Sequence, residues 1–130
     1  MKTEAEFLIE TDILVEHLTQ QDLSSPSVLE LAMTQGICFT SVITASELYF
    51  SCKDAKQKEA VDSVLYAINV LGIHQRYSLN ITEFFNKVAS VRDALVCVLA
   101  KSNKLPILTN DIERFRNSGI KVISPKELRG

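Results

Sequence analysis

Three observations predict an α/β fold, a three-layer α/β/α arrangement with a parallel sheet covered on both faces. Short apolar runs near residues 7–9, 37–39, 105–108 and 120–123 alternate with longer stretches of helical periodicity, which is the pattern of strand–helix–strand units. The segment Arg92-Asp93-Ala94-Leu95-Val96-Cys97-Val98-Leu99-Ala100 is apolar on nearly every side except at its start, as a buried helix is. Apolar residues make up 46% and charged residues 23% of the 130 positions, an ordinary globular composition that can bury a core without disulfides or a structural metal. Four glycines and three prolines leave little room for linkers, so one domain over residues 1–130 is expected.

Each element has a local reason. Residues 7–11 read as a short buried strand ending in polar side chains, with Asp12 or Thr11 able to cap a helix over 13–19. Ser24-Ser25-Pro26 opens a second helix over 26–34, and Gly36 ends it. Residues 37–40 form the next strand. Ser41 then caps a helix over 42–52, in which Ile43, Tyr49 and Phe50 place Glu47 at or beside the buried face. A charged, solvated stretch at 53–58 leads to a helix carrying Val61, Val64, Leu65, Ile68 and Leu71, stopped by Gly72. A weak third strand is expected at 73–77. Asn80-Ile81-Thr82-Glu83 reads as a capping box for a helix over 81–90. The buried helix follows from 93 to 103, then a strand at 105–109, one helical turn at 112–116, a turn at Gly119, the last strand at 120–123 and a closing turn at 124–128.

The bulk charge narrows the function classes. With 14 basic and 16 acidic residues the formal charge is −2, so nucleic-acid binding is not announced by a basic surface, although a local patch or a bound cation can supply the positive charge. No apolar run is long enough to span a bilayer. The opening residues 1–6 are acidic and do not read as a secretory signal. Cys38, Cys52 and Cys97 are odd in number and lack a C-x-x-C spacing, which points to reduced thiols in a cytoplasmic protein. His17 and His74 stand alone, outside any metal-ligand spacing.

The acids carry the functional signal. In parallel α/β sheets the ligand site lies beyond the carboxyl ends of the strands. Two strands end there in acids, Glu10 with Asp12 and Asp111, and two helices carry acids near apolar faces, Glu47 and Asp93. An acid opening a buried helix needs a partner, a metal or a raised pKa. Converging carboxylates raise one another's pKa, at about 1.4 kcal/mol per unit, and a divalent cation removes that cost. Oxygen ligands without a His or Cys cluster select Mg²⁺ or Mn²⁺ over zinc, and such a cation suits phosphodiester chemistry. Singly, each acid has a plainer account. Asp93 suits a helix N-terminus, Asp12 and Asp111 suit caps, and Glu47 suits a pair with Lys across a helix face. Lys101, Lys104, Arg114 and Arg116 offer a basic rim for RNA phosphates, or simply a solvated surface.

The segments 8–15, 41–48, 93–100 and 107–115, taken in order, resemble the four acidic motifs of PIN domains, and above all those of VapC-like toxins of toxin–antitoxin pairs. The resemblance implies a Rossmann-like sheet, Mg²⁺ or Mn²⁺, metal-dependent cleavage of RNA as an endoribonuclease, a cognate antitoxin and a homodimer. It implies that Glu10, Glu47, Asp93 and Asp111 are the metal-holding and catalytic acids, with Asp93 or Glu10 orienting the attacking water. Thr11, Asp12 and Thr109 would support them. The first motif departs from the family pattern: Glu10 stands where the family has Asp, and Asp12 where it has Asn or Ser. The extra methylene of Glu10 displaces its oxygens, which the strict geometry of Mg²⁺ tolerates poorly. The stretch between Tyr77 and Asp93 is also short beside many relatives, so a helix there is expected to be trimmed. An alternative reading is a PIN-fold module that binds RNA or a partner through a weakened site. An aspartyl-nucleophile phosphatase is disfavoured, because Glu10 opens its Asp-x-Asp-like motif and no second Asp-rich motif follows.

Overall fold

The structure, a computed structural model, describes residues 5–130; positions 1–4, most of the acidic opening, lie outside the described residues. The chain runs β1 (Ala5–Ile9), α1 (Thr11–Thr19), α2 (Val28–Gln35), β2 (Gly36–Ser41), α3 (Val42–Phe50), α4 (Ala55–Ala67) and β3 (Asn69–Leu71). It continues through a short α5 (Tyr77–Asn80), a 3-10 turn (Ile81–Phe84), α6 (Val91–Asn103), β4 (Ile107–Leu108), a second 3-10 turn (Ile112–Phe115), β5 (Val122–Ile123) and α7 (Pro125–Leu128). The five strands form one sheet in the order β3-β2-β1-β4-β5, and every pairing is parallel.

The three layers follow from strand alternation, since successive side chains point to opposite faces. Phe7 and Ile9 of β1, Cys38 of β2 and Leu108 of β4 enter a core with Ile13, Leu14, Val28, Leu48, Val61 and Leu128 from α1, α2, α3, α4 and α7. Leu8 of β1 and Ile107 of β4 enter the opposite core, with Phe84, Phe115 and the buried residues of α6. The second core rests on α6, in which Asp93, Ala94, Val96, Cys97, Val98, Leu99 and Ala100 are all buried. Among the described residues no helix is long and apolar enough to cross a membrane.

Several elements begin or end where local chemistry dictates. Ser41 Oγ accepts the Thr44 N–H at 3.0 Å and caps α3, as expected. Ser90 Oγ accepts the Asp93 N–H at 3.1 Å and opens α6. Lys104, at φ 56, ends α6 with its N–H directed to Ala100 and Lys101 carbonyls. The helix after β1 starts at Thr11, and Glu10, not Thr11 or Asp12, takes the N-cap position without a side-chain cap bond. α2 starts later than Pro26 because Ser27 and Glu30 form a reciprocal capping box. The helix expected to run to Leu71 stops at Ala67, and Asn69–Leu71 pairs with Phe39–Ser41 as β3. No strand forms at 73–77. Leu71 satisfies helical spacing with Ile68 but also fits a short edge strand, and apolar periodicity cannot separate the two over so few residues.

The helix expected over 81–90 is also absent, and Asn80 makes no side-chain cap bond. Glu83, the other half of that box, instead pairs with Lys101 of α6, and Asn86 adopts φ 63, which a helix does not permit. The segment is trimmed to α5 and one 3-10 turn, so α6 begins directly above the sheet.

Gly36 joins α2 to β2 where the backbone of β1 passes close by. A Cβ at this position would lie 2.1 Å from the Ala5 carbonyl oxygen. Gly36→Ala is expected to lower stability by about 1–3 kcal/mol through forced separation of β1 and β2, read as a lower urea midpoint; an unchanged midpoint would show that the strand edge yields freely.

Candidate active site

The strand order reverses at β1. From there the chain adds β2 and β3 on one side, then returns to place β4 and β5 on the other. A crevice therefore opens beyond the carboxyl ends of β1 and β4, the position where open α/β sheets bind ligands. Glu10 follows β1 directly, Thr109 follows β4, Glu47 projects from α3, and Asp93 lies in the first turn of α6. Glu10 and Asp93 are 1% and 5% exposed, so neither carboxylate is a surface charge.

What joins them is Arg92, whose guanidinium carries five N–H donors, all engaged. Nη1 donates to Glu10 Oε2 at 2.8 Å and to Asp93 Oδ1 at 3.1 Å. Nη2 donates to Glu47 Oε1 at 2.8 Å and to Thr11 Oγ1 at 2.9 Å. Nε donates to Glu47 Oε2 at 3.1 Å, completing a two-point fork on that carboxylate. Arg114 approaches from the turn after β4. Its Nη2 lies 2.5 Å from Asp93 Oδ1, and its Nη1 lies 3.3 Å from Glu10 Oε2. Its guanidinium also stands 5.2 Å from the centre of the Phe115 ring.

The hydroxyl and acid neighbours brace this network. Thr11 Oγ1 donates to Glu47 Oε1 at 2.6 Å and lies 3.0 Å from the buried Thr44 hydroxyl. Asp12 does not join the cluster. It accepts Thr109 Oγ1 at 3.0 and 3.1 Å, the Asn110 N–H at 2.7 Å and the Ile13 N–H at 3.0 Å. Asp12 and Thr109 thus lock the end of β4 to the start of α1. Asp111 is exposed. Its N–H donates to Thr109 Oγ1 at 3.1 Å, and its carboxylate makes no hydrogen bond or ion pair with the other acids among the described residues.

Of the expected site residues, the structure brings together Glu10, Thr11, Glu47 and Asp93; it sets Asp12 and Thr109 beside them as a brace and leaves Asp111 at the mouth. Sequence reasoning passed over Arg92 as a mere neighbour of Asp93 and placed Arg114 on a rim. The usable signal was charge balance: buried acids demand cations, and Arg92 directly precedes the third motif while Arg114 lies within the fourth. The rim itself is depleted, since Arg114 turns inward while Lys101 and Arg116 pair with Glu83 and Glu113. The histidines are local fittings: His17 hydrogen-bonds to the Ser27 hydroxyl at 2.7 Å, and His74 Nδ1 accepts the Arg76 N–H at 3.0 Å.

The electrostatics sort the acids. Burial pushes the Glu10 carboxyl above its ordinary value, more than its hydrogen bond from Arg92 pulls it down. Glu47 is held below the usual carboxylate range, chiefly by the hydrogen bonds from Arg92. Burial opposes the charge on Arg92, but its hydrogen bonds to Glu47 and Glu10 outweigh that and hold it firmly protonated. Breaking one partner of a buried pair costs about 3–5 kcal/mol, whereas an exposed pair such as Lys58–Asp62 is screened by solvent and contributes little. The site network is therefore the electrostatic feature that matters to the fold.

The donor chemistry, three hard carboxylates, suits a divalent cation. In this structure the oxygens such a cation would use accept from guanidinium groups instead. Among the described residues no group of three or more His, Cys, Asp or Glu side chains is placed to hold a metal ion.

Because folded Glu47 takes up its proton less readily than unfolded Glu47, its contribution to stability is complete above the unfolded value of about 4.3. It is lost as the pH falls through the lower folded value. Glu10 acts in the opposite sense, since its raised pKa favours the protonated folded state. Glu47→Gln is expected to flatten the fall in melting temperature between about pH 5 and pH 3 relative to the unaltered protein; an equally steep fall would contradict this assignment.

Comparison with known proteins agrees with this fold. The PIN domain model matches residues 7–120. A chain of VapBC2 from Rickettsia felis, bound to a DNA fragment from its promoter, superposes with a TM-score of 0.76 at 20% identity, covering 92% of this chain and 98% of that one. A chain of DNA-bound VapBC from Salmonella typhimurium gives 0.77 at 18% identity, covering 93% and 98%. VapC20 from Mycobacterium tuberculosis, a toxin that cleaves the sarcin-ricin loop, gives 0.65 at 14% identity, covering 92% and 98%. Among curated proteins none matches in sequence. With its four acidic motifs, its five-stranded parallel sheet and a family match over nearly its whole length, the chain belongs to the PIN domain family.

Proposed function

We propose that this protein is an endoribonuclease, the toxin member of a toxin–antitoxin pair, which hydrolyses RNA phosphodiesters at the crevice between β1 and β4. The observation that carries the reading is the meeting of Glu10, Glu47 and Asp93, from three separate elements, around the Arg92 guanidinium beyond the strand ends. Membership of the PIN family and the likeness to VapBC chains and VapC20 support it. By the same analogy the working protein is a single-domain cytoplasmic homodimer, held inactive by an antitoxin protein.

Glu10, Glu47 and Asp93 are the residues that would hold Mg²⁺ or Mn²⁺, which when bound supplies charge neutralisation at the phosphate and a more acidic water. The chain's own groups do the rest. Asp93, set by the Ser90 cap and buried in the first turn of α6, or Glu10 beside it, orients the attacking water. Thr11 and Thr44 hold Glu47 in place from the first and second motifs. Asp12 and Thr109 keep the two strand ends in register, so that the acids meet. Asp111, exposed at the mouth, is the outer member of the set and the one nearest incoming solvent.

One observation favours a second reading, an RNA- or partner-binding module without catalysis: two guanidinium groups occupy the carboxylates. Cleavage of structured RNA in Mn²⁺ separates the two. The nuclease reading expects cleavage that Asp93→Asn lowers by about a hundredfold or more, assayed at a temperature where both proteins are folded. Equal cleavage by both proteins, or none by either, would sink it.

A further inference from the structure

Arg92 is the one residue that hydrogen-bonds to Glu10, Glu47 and Asp93 together, engaging the carboxylate oxygens a divalent cation would need. Its Nη1 lies within hydrogen-bond distance of both Glu10 Oε2 and Asp93 Oδ1, while Nη2 and Nε fork onto Glu47. A divalent ion held by those oxygens would be a like charge at contact distance from the guanidinium, competing for the same lone pairs. The two cannot share the crevice.

We propose that Arg92 is a built-in stopper of the cation site: it neutralises Glu10, Glu47 and Asp93 in the metal-free protein, and a divalent cation binds only by displacing it. This rests on reading those acids as a cation site.

Three features single out Arg92. Arg114 reaches two of the acids, whereas Arg92 reaches three. Charge balance then favours exchange over addition. With both arginines in place, the three carboxylates have one negative charge left over; with Arg92 swung out and a divalent ion in, the charges balance. Finally, the exit is open. The Arg92 side chain is 22% exposed and leaves past Glu47, whose side chain is 42% exposed, so the guanidinium can move outward on its own side-chain torsions without shifting α6. Arg114 stays to hold Asp93 and Glu10 in its absence. The arrangement also accounts for how a crevice with buried carboxylates remains folded without metal.

The test is titration calorimetry with Mn²⁺ on the full chain. Arg92→Gln is expected to bind Mn²⁺ more than about tenfold tighter than the unaltered protein, since a unit charge at contact distance is removed. Arg116→Gln, which removes the same charge from the surface, is expected to leave affinity unchanged. Equal or weaker binding by Arg92→Gln, or an equal gain in Arg116→Gln, would overturn the stopper alone. Absence of binding by every protein would overturn the cation site and the stopper with it. Because Arg92→Gln also weakens the fold, a second measurement uses the unaltered protein. Phenylglyoxal labelling with peptide mapping should modify Arg92 severalfold faster with Mn²⁺ than without it, as the guanidinium is released to solvent. An unchanged or slower rate would overturn the proposal.

Discussion

One guanidinium, that of Arg92, binds together four parts of the chain. Glu10 comes from the end of β1, Thr11 from the start of α1, Glu47 from α3 and Asp93 from its own helix, α6. Without it, the crevice would hold three carboxylates against Arg114 alone, two of them buried, at a cost that a marginally stable domain could hardly meet. The network is thus a structural joint as well as the place where chemistry would occur. Every other device at the site serves to bring the acids to that joint.

The sheet does most of this work. Parallel order with a reversal at β1 puts the carboxyl ends of β1 and β4 side by side, and the Asp12–Thr109 bond fixes their separation. On the other side of the crevice, α6 is anchored by a nearly continuous buried surface against Leu8, Ile107, Phe84 and Phe115. Its Ser90 cap sets where the first turn begins, and hence where Arg92 and Asp93 stand. Packing decides the position of the acids, and the charges decide how they are paired.

Much of this was legible in the sequence. β1, β2, α3, α6 and β4 carry strong apolar patterning and, at Ser41, an unambiguous cap. The four acidic motifs sit on those elements, so the neighbourhood of Glu10, Glu47 and Asp93 followed from the fold class. The region from Ile68 to Ser90 was not legible. Short apolar runs there suit either period, and the apparent capping box at Asn80 is undone by Glu83 choosing Lys101. The pairing of the acids was invisible for a different reason. A sequence shows that Arg92 precedes Asp93, but not that a long side chain folds back across the crevice to reach Glu10 and Glu47. Asp111 shows the converse: its place in the fourth motif is plain in the sequence, while its exposure and lack of a bond to the network are not.

The measurement that tests this account most directly is anomalous diffraction from crystals of the unaltered protein, grown without metal and then soaked in Mn²⁺. The metal-free crystals are expected to show Arg92 on Glu10, Glu47 and Asp93, and the soaked crystals a manganese peak among those oxygens with the guanidinium turned out to solvent. A manganese peak elsewhere, or one among the acids with Arg92 still in place, would contradict it.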